Sequence, residues 1–126
     1  MLFIVASQNL KNKIEAIIPN CVTPPDCTTG QETITLIRTT KQYAYEEDFI
    51  IRDSNGYMKF RQPTLSNNRQ YTWSVTLCKG VYTILMTDSY GDKWSTGSNV
   101  VIKKGSTTIG TFSCTNSHST TSSFTV

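Results

Sequence analysis

The chain reads as an all-β protein: a jelly-roll-like antiparallel β-sandwich with an N-terminal strand-plus-short-helix arm. Three observations predict it. Serine and threonine number 13 and 20 among 126 residues, and the branched Cβ of threonine suits a pleated strand. Lys, Glu and Ala, which favour helices, thin out after residue 30. From there, short apolar runs of period two alternate with turn residues, the pattern of a sandwich.

The runs follow in order. ETITLIR (32–38) sets Ile34 and Leu36 on one face, and DFIIRD (48–53) is a second strand. Ser54-Asn55-Gly56 makes the turn into YMKFR (57–61), because Asn-Gly tolerates the positive φ of a tight hairpin. YTWSVTLC (71–78) alternates most cleanly: Tyr71, Trp73, Val75 and Leu77 face one way, and Thr72, Ser74 and Thr76 the other. That alternation marks Trp73 as core. Lys79-Gly80 turns the chain into VYTILMT (81–87), apolar on both faces and so expected at the centre of a sheet. NVVIK (99–103), TTIGTFS (107–113) and SSFTV (122–126) complete the set.

Residues 1–30 differ. MLFIVA is apolar, and residues 2–6 read as a strand. In QNLKNKIEAII, residues 8–18, Leu10, Ile14, Ile17 and Ile18 fall on one helical face, with Ser7 as N-cap and Pro19 as stop. A polar Cys/Pro joint over 20–30 leads to the sandwich domain, 31–126.

Composition removes some function classes. The formal charge is +3, from 12 basic and 9 acidic residues scattered along the chain, so no concentrated basic face for nucleic acid is expected. No apolar run approaches the roughly 20 residues of a spanning helix. Cys21, Cys27, Cys78 and Cys114 read as a disulfide set of an extracellular protein rather than a zinc site, which would want tight C-x-x-C pairs. Of three possible pairings, Cys21–Cys27 with Cys78–Cys114 is the expectation. No N-x-Ser/Thr sequon occurs, and the hydroxyl-rich composition suits O-linked sugar.

The stretch that looks chemical is TDSYGDKWSTGSN, residues 87–99. Asp88 and Asp92 lie close in sequence, Ser89, Ser95 and Ser98 offer oxygens, and Gly91 and Gly97 let the backbone bend. Oxygen-rich loops of this kind suit Ca2+. The same residues also suit a well-made turn, in which Asp88 caps, Gly91 takes positive φ and Trp94 covers the sandwich end. CKGVYTILMTDSYGDKW, residues 78–94, resembles the secreted β-sandwich modules of microbial surface proteins, which carry a strand ending in Cys, a Gly-Tyr-Thr strand and then D-S-Y-G-D-G-W. Arg52-Asp53-Ser54-Asn55-Gly56 resembles their hairpin, and the likeness runs in order over residues 32–113. Lys93 departs from the usual glycine. The resemblance implies an extracellular, non-catalytic module and names no ligand.

Catalysis is not expected. His118 stands alone in a polar loop, no nucleophile elbow surrounds a serine, and Glu46, Glu47 and Asp48 read as a solvated edge. Two functions remain. MLFIVA lacks the basic flank and the length of a secretory signal. Yet fully burying Leu2, Phe3, Ile4 and Val5 is worth roughly 1.5–3 kcal/mol each, so the segment needs shelter. Donation of that strand to the next copy would build a head-to-tail filament; docking on its own sandwich is the plain alternative. The other function is calcium-assisted carbohydrate binding, with Tyr43, Tyr45, Tyr90 and Trp94 as candidate exposed aromatics.

Overall fold

A computed structural model describes residues 27–126. The expected arm strand 2–6, with Leu2, Phe3, Ile4 and Val5, and the helix 8–18 lie outside the described residues. Eight strands follow: β1 (Gln31–Thr39), β2 (Glu47–Asp53), β3 (Met58–Arg61), β4 (Gln70–Cys78), β5 (Val81–Asp88), β6 (Asn99–Lys104), β7 (Thr107–Phe112) and β8 (Ser119–Thr125). A single 3-10 turn, Ala44–Glu46, precedes β2. They form two antiparallel four-stranded sheets packed face to face, ordered β4-β1-β6-β7 and β3-β2-β5-β8. The all-β sandwich is the expected class.

The chain rolls twice. β1 pairs with β4 while β2 pairs with β3 in the other sheet. β5 pairs with β8 and β6 with β7 in the same manner. The β1–β6 and β2–β5 ladders join the two units. This order sends the long connections 40–46, 62–69, 89–98 and 113–118 to one end of the sandwich, the loop end. The tight turns 54–57, 79–80 and 105–106 sit at the other, the turn end. The Asn-Gly hairpin forms as read: Gly56 adopts φ 88, and Asp53 Oδ1 accepts from the Asn55 and Tyr57 amides at 2.9 Å each.

Alternation builds the core. Ile34 and Leu36 of β1, Phe49 and Ile51 of β2, Ile84 and Met86 of β5, and Val100 and Ile102 of β6 are all buried. β5 is an inner strand, as expected, but only one of its faces is buried. Val81 on the other is 55% exposed. β4 is an edge strand, so of its inward set only Leu77 is buried, while Tyr71, Trp73 and Val75 stay half-open.

The least expected feature of the interior is a charge. Arg38 is 0% exposed, and its Nη2 donates to Glu47 Oε1 at 2.7 Å. Nε donates to Gln62 Oε1 at 3.0 Å and Nη1 to the Thr39 carbonyl at 2.7 Å. Glu47 Oε2 accepts from the Ser95 amide at 2.9 Å. Glu47 therefore does not belong to a solvated edge. β2 begins one residue earlier than its apolar run, and the pleat turns Glu47 inward.

The cysteine pairing is also corrected. Cys27 bonds Cys78, and Cys114 is a free, buried thiol. The β1–β4 register sets Gln31 opposite Cys78, which brings Cys27 alongside. Cys114 follows β7, three strands or roughly 14 Å away across the same sheet and at the opposite, loop end of the sandwich from Cys78. Cys21 lies outside the described residues, and Cys27 is already committed to Cys78. Closing a loop of 51 residues restricts the unfolded chain by about 4 kcal/mol on the entropic account.

Removing one member of a buried ion pair strands the other. Glu47→Ala should therefore lower unfolding stability by about 3–5 kcal/mol, read by urea denaturation. Asp48→Ala, at the half-exposed Arg61 pair, should cost no more than about 1 kcal/mol.

Candidate functional site at the loop end

The loop after β5 is built on Asp88, the last residue of that strand. Its Oδ1 accepts from the Tyr90 amide at 2.9 Å and the Gly91 amide at 3.2 Å, closing the loop on itself. Gly91 has φ 87, and a Cβ there would fall 2.4 Å from the His118 Nε2. Lys93 takes φ 62, a left-handed conformation that glycine adopts without strain. That is the position where the D-S-Y-G-D-G-W signature carries glycine. A second connection straps the loop down: the Lys93 amide donates to Ser117 O at 2.9 Å and the Trp94 amide to Cys114 O at 3.1 Å.

Trp94 is corrected as a ligand-binding candidate. It is 3% exposed. Its Nε1 donates to Thr87 O at 2.8 Å, and its ring lies 4.0 Å from the Arg38 guanidinium carbon. It plugs the sandwich end and shields the buried ion pair. Tyr90, by contrast, is 75% exposed and Tyr45 74%. Tyr43 is half-exposed, edge-on to Tyr45 at 6.4 Å.

Asp88 and Asp92 come together, and Glu46 joins them. One carboxylate oxygen from each lies within 4.8 Å of the others, with Asp88 buried, Glu46 half-buried and Asp92 exposed. Such a trio supplies three of the six to eight oxygens that Ca2+ takes. Two of the serines that offer oxygens are engaged elsewhere: Ser95 Oγ donates to Gln42 O, and Ser98 Oγ accepts from the Lys41 amide. Glu46 was hidden in the sequence because its partners lie far downstream, joined by the β2–β5 ladder, which sets Glu47 opposite Asp88, and by the Ser89 amide, which donates to Glu46 O at 2.9 Å.

Beside the trio opens a shallow cleft of about 660 Å³, lined by Tyr45, Glu46, Asp48, Arg61, Asp88 and His118 among others. Arg61 donates through Nε and Nη2 to Asp48 Oδ2, and the buried Asp48 Oδ1 has no partner among the described residues. The lining sets these charged and polar groups beside Ala44, Pro63, Leu65 and the exposed ring of Tyr45. No family model, curated protein or solved structure matches the chain.

Burial pushes the Asp88 carboxyl above the usual carboxylate range; the Tyr90 and Gly91 amides pull it back, and the neighbouring Asp92 raises it further. A raised carboxyl binds its proton more tightly in the folded chain. Its stabilising contribution is thus fullest below the unfolded value, about 3.9, and is lost as pH rises through the folded value. Asp88→Asn keeps the Oδ1 acceptor and removes the charge. The stability of the natural chain relative to this variant should fall as pH rises from about 4 towards neutrality, measured by urea unfolding across pH.

Proposed function

We propose that this chain is a non-catalytic extracellular structural protein, a subunit of a surface filament assembled head to tail by donation of the Leu2–Val5 segment to the neighbouring copy. One observation carries the reading. The Cys27–Cys78 bond roots the 26 preceding residues at the turn end, beside an edge strand of the sandwich. A segment leaving from a sheet edge reaches a second molecule without crossing its own sandwich. Four large apolar side chains, worth roughly 6–12 kcal/mol when buried, give it reason to do so. The disulfide suits an oxidising, extracellular setting. Among the described residues no helix is long and apolar enough to cross a membrane. The resemblance of residues 78–94 to microbial surface modules points the same way. Deleting residues 2–6 should leave a folded monomer by light scattering and no fibres by electron microscopy. A truncated chain that still polymerises, or that unfolds, would count against the reading.

A second reading is favoured by the convergence of Glu46, Asp88 and Asp92 beside exposed Tyr45 and Tyr90: calcium-assisted carbohydrate binding. A cation there would relieve the repulsion among the three carboxylates. On this reading Ca2+ raises the melting temperature and glycan-array binding, and Asp92→Ala abolishes both effects. Tyr90→Ala removes glycan binding without loss of fold. Identical melting and glycan binding with Ca2+ and with chelator would remove this reading. Trp94→Ala is not a usable probe, since it would empty the core.

A further inference from the structure

We infer that the acceptor for residues 2–6 is the free edge of β4 in the neighbouring copy, along Thr72–Thr76. This inference rests on the filament reading and adds the surface that receives the strand.

The four sheet edges differ. β3 has four residues and a register shift against β2, and ion pairs Lys59–Asp53 and Arg61–Asp48 flank it. Short, charged, irregular edges resist pairing. β7 has a register shift against β6. On that side of the sandwich Phe112 packs 6.0 Å from Phe124 of β8, and Phe124 is buried. β8 is free of charge, glycine and proline over its seven residues, STTSSFT, but its one apolar side chain, Phe124, is already buried. β4 is the longest of the edges. It runs nine residues, QYTWSVTLC, with no charge, glycine or proline. Among the described residues nothing pairs with its outer edge.

The interior is also open there. Phe49, Phe60, Trp73 and Tyr71 form a continuous aromatic row, with centroids 5.6, 5.1 and 6.0 Å apart in turn. Phe49 is buried, but Phe60, Trp73 and Tyr71 are only half covered. Tyr57 and Met58 lie exposed next to them in sequence. A strand added to β4 would extend the first sheet over this seam.

The backbone is set to receive it. Arg69 O accepts from the Thr40 amide, and the Lys79 amide donates to Gly30 O. Odd-numbered residues of β4 therefore turn their amides and carbonyls towards β1. By alternation Thr72, Ser74 and Thr76 turn theirs to the free edge. The segment 62–69 closes one end of that edge: Leu65 is buried, and the Ser66 amide donates to the Tyr71 hydroxyl at 2.8 Å. The disulfide closes the other. The open stretch is five residues long, as is Leu2–Ala6. Apolar side chains occupy both faces of that segment, so either set, Phe3 and Val5 or Leu2, Ile4 and Ala6, can cover Trp73 and Val75.

Proline at Ser74 removes an outward amide and leaves the β1–β4 ladder intact, a position where edge strands tolerate it. On β8 the Val126 amide donates to Gly80 O, so Ser123 likewise faces outward and Ser123→Pro is the matched control. Ser74→Pro should raise the concentration needed for assembly at least about tenfold, and Ser123→Pro should leave it unchanged, both with native circular dichroism. A second measurement does not depend on the proline variant folding. A photo-crosslinking benzoylphenylalanine replaces Phe3, in fibres formed from mixed isotope-labelled and unlabelled full-length chains. Cross-links should join labelled to unlabelled chains at residues 58–60 or 71–75. If deletion of residues 2–6 stops assembly but Ser74→Pro does not, or cross-links fall on β7 or β8, the β4 acceptor is overturned and the filament reading survives. Cross-links confined within one chain, or no fibres from the intact chain, overturn both.

Discussion

The interaction on which the sandwich depends is the buried Arg38–Glu47 pair. Two charges removed from water are tolerable only when their hydrogen-bonding capacity is met. Here Nε, Nη1 and Nη2 of Arg38 all have acceptors, and both oxygens of Glu47 have donors. The partners come from β1, β2, the segment after β3 and the loop after Trp94. One pair thus joins the two sheets and two of the four long connections, and Trp94 seals it from water.

That demand shapes the loop end. With the Ser95 amide held by Glu47, the 89–98 loop has little freedom, and the 113–118 strap holds its other side. The acidic trio and the exposed tyrosines therefore stand on a rigid base rather than on a mobile loop. Chemistry that accumulates charge lies at this end. At the opposite end the connections are too short to carry side-chain machinery, and what stands there is the Cys27–Cys78 disulfide at the root of the arm. The proposed acceptor stretch, Thr72–Thr76, runs between the two ends, and the segment 62–69 that closes it at the loop end also lines the cleft.

Strand positions were legible because burial on one face writes itself into sequence with period two. ETITLIR, YTWSVTLC and NVVIK became β1, β4 and β6 within a residue or so of their expected limits. The Asn55-Gly56 turn was legible through the positive φ at Gly56. Two of the three carboxylates of the candidate site were legible too. Asp88 and Asp92 announced themselves in one loop, whereas Glu46 could not, because it is brought near them by tertiary pairing, the β2–β5 ladder and the Ser89 amide bond to Glu46 O. Trp94 fills the covering place that the turn reading gives it, and Glu47 leaves the solvated edge, for one reason: each packs on Arg38, which the period of two sets on the Ile34–Leu36 face, though no spacing says that a charge at the end of that face is buried.

Local rules in the chain itself settled the class of fold, the strand limits, the tight turns and the apolar character of residues 2–6. Each follows from a preference that a few neighbouring residues satisfy among themselves. Strand order is different in kind, since it depends on which distant faces bury each other best. It alone chose Cys27 for Cys78, left Cys114 as a thiol, gathered three carboxylates at one end and left β4 at an edge.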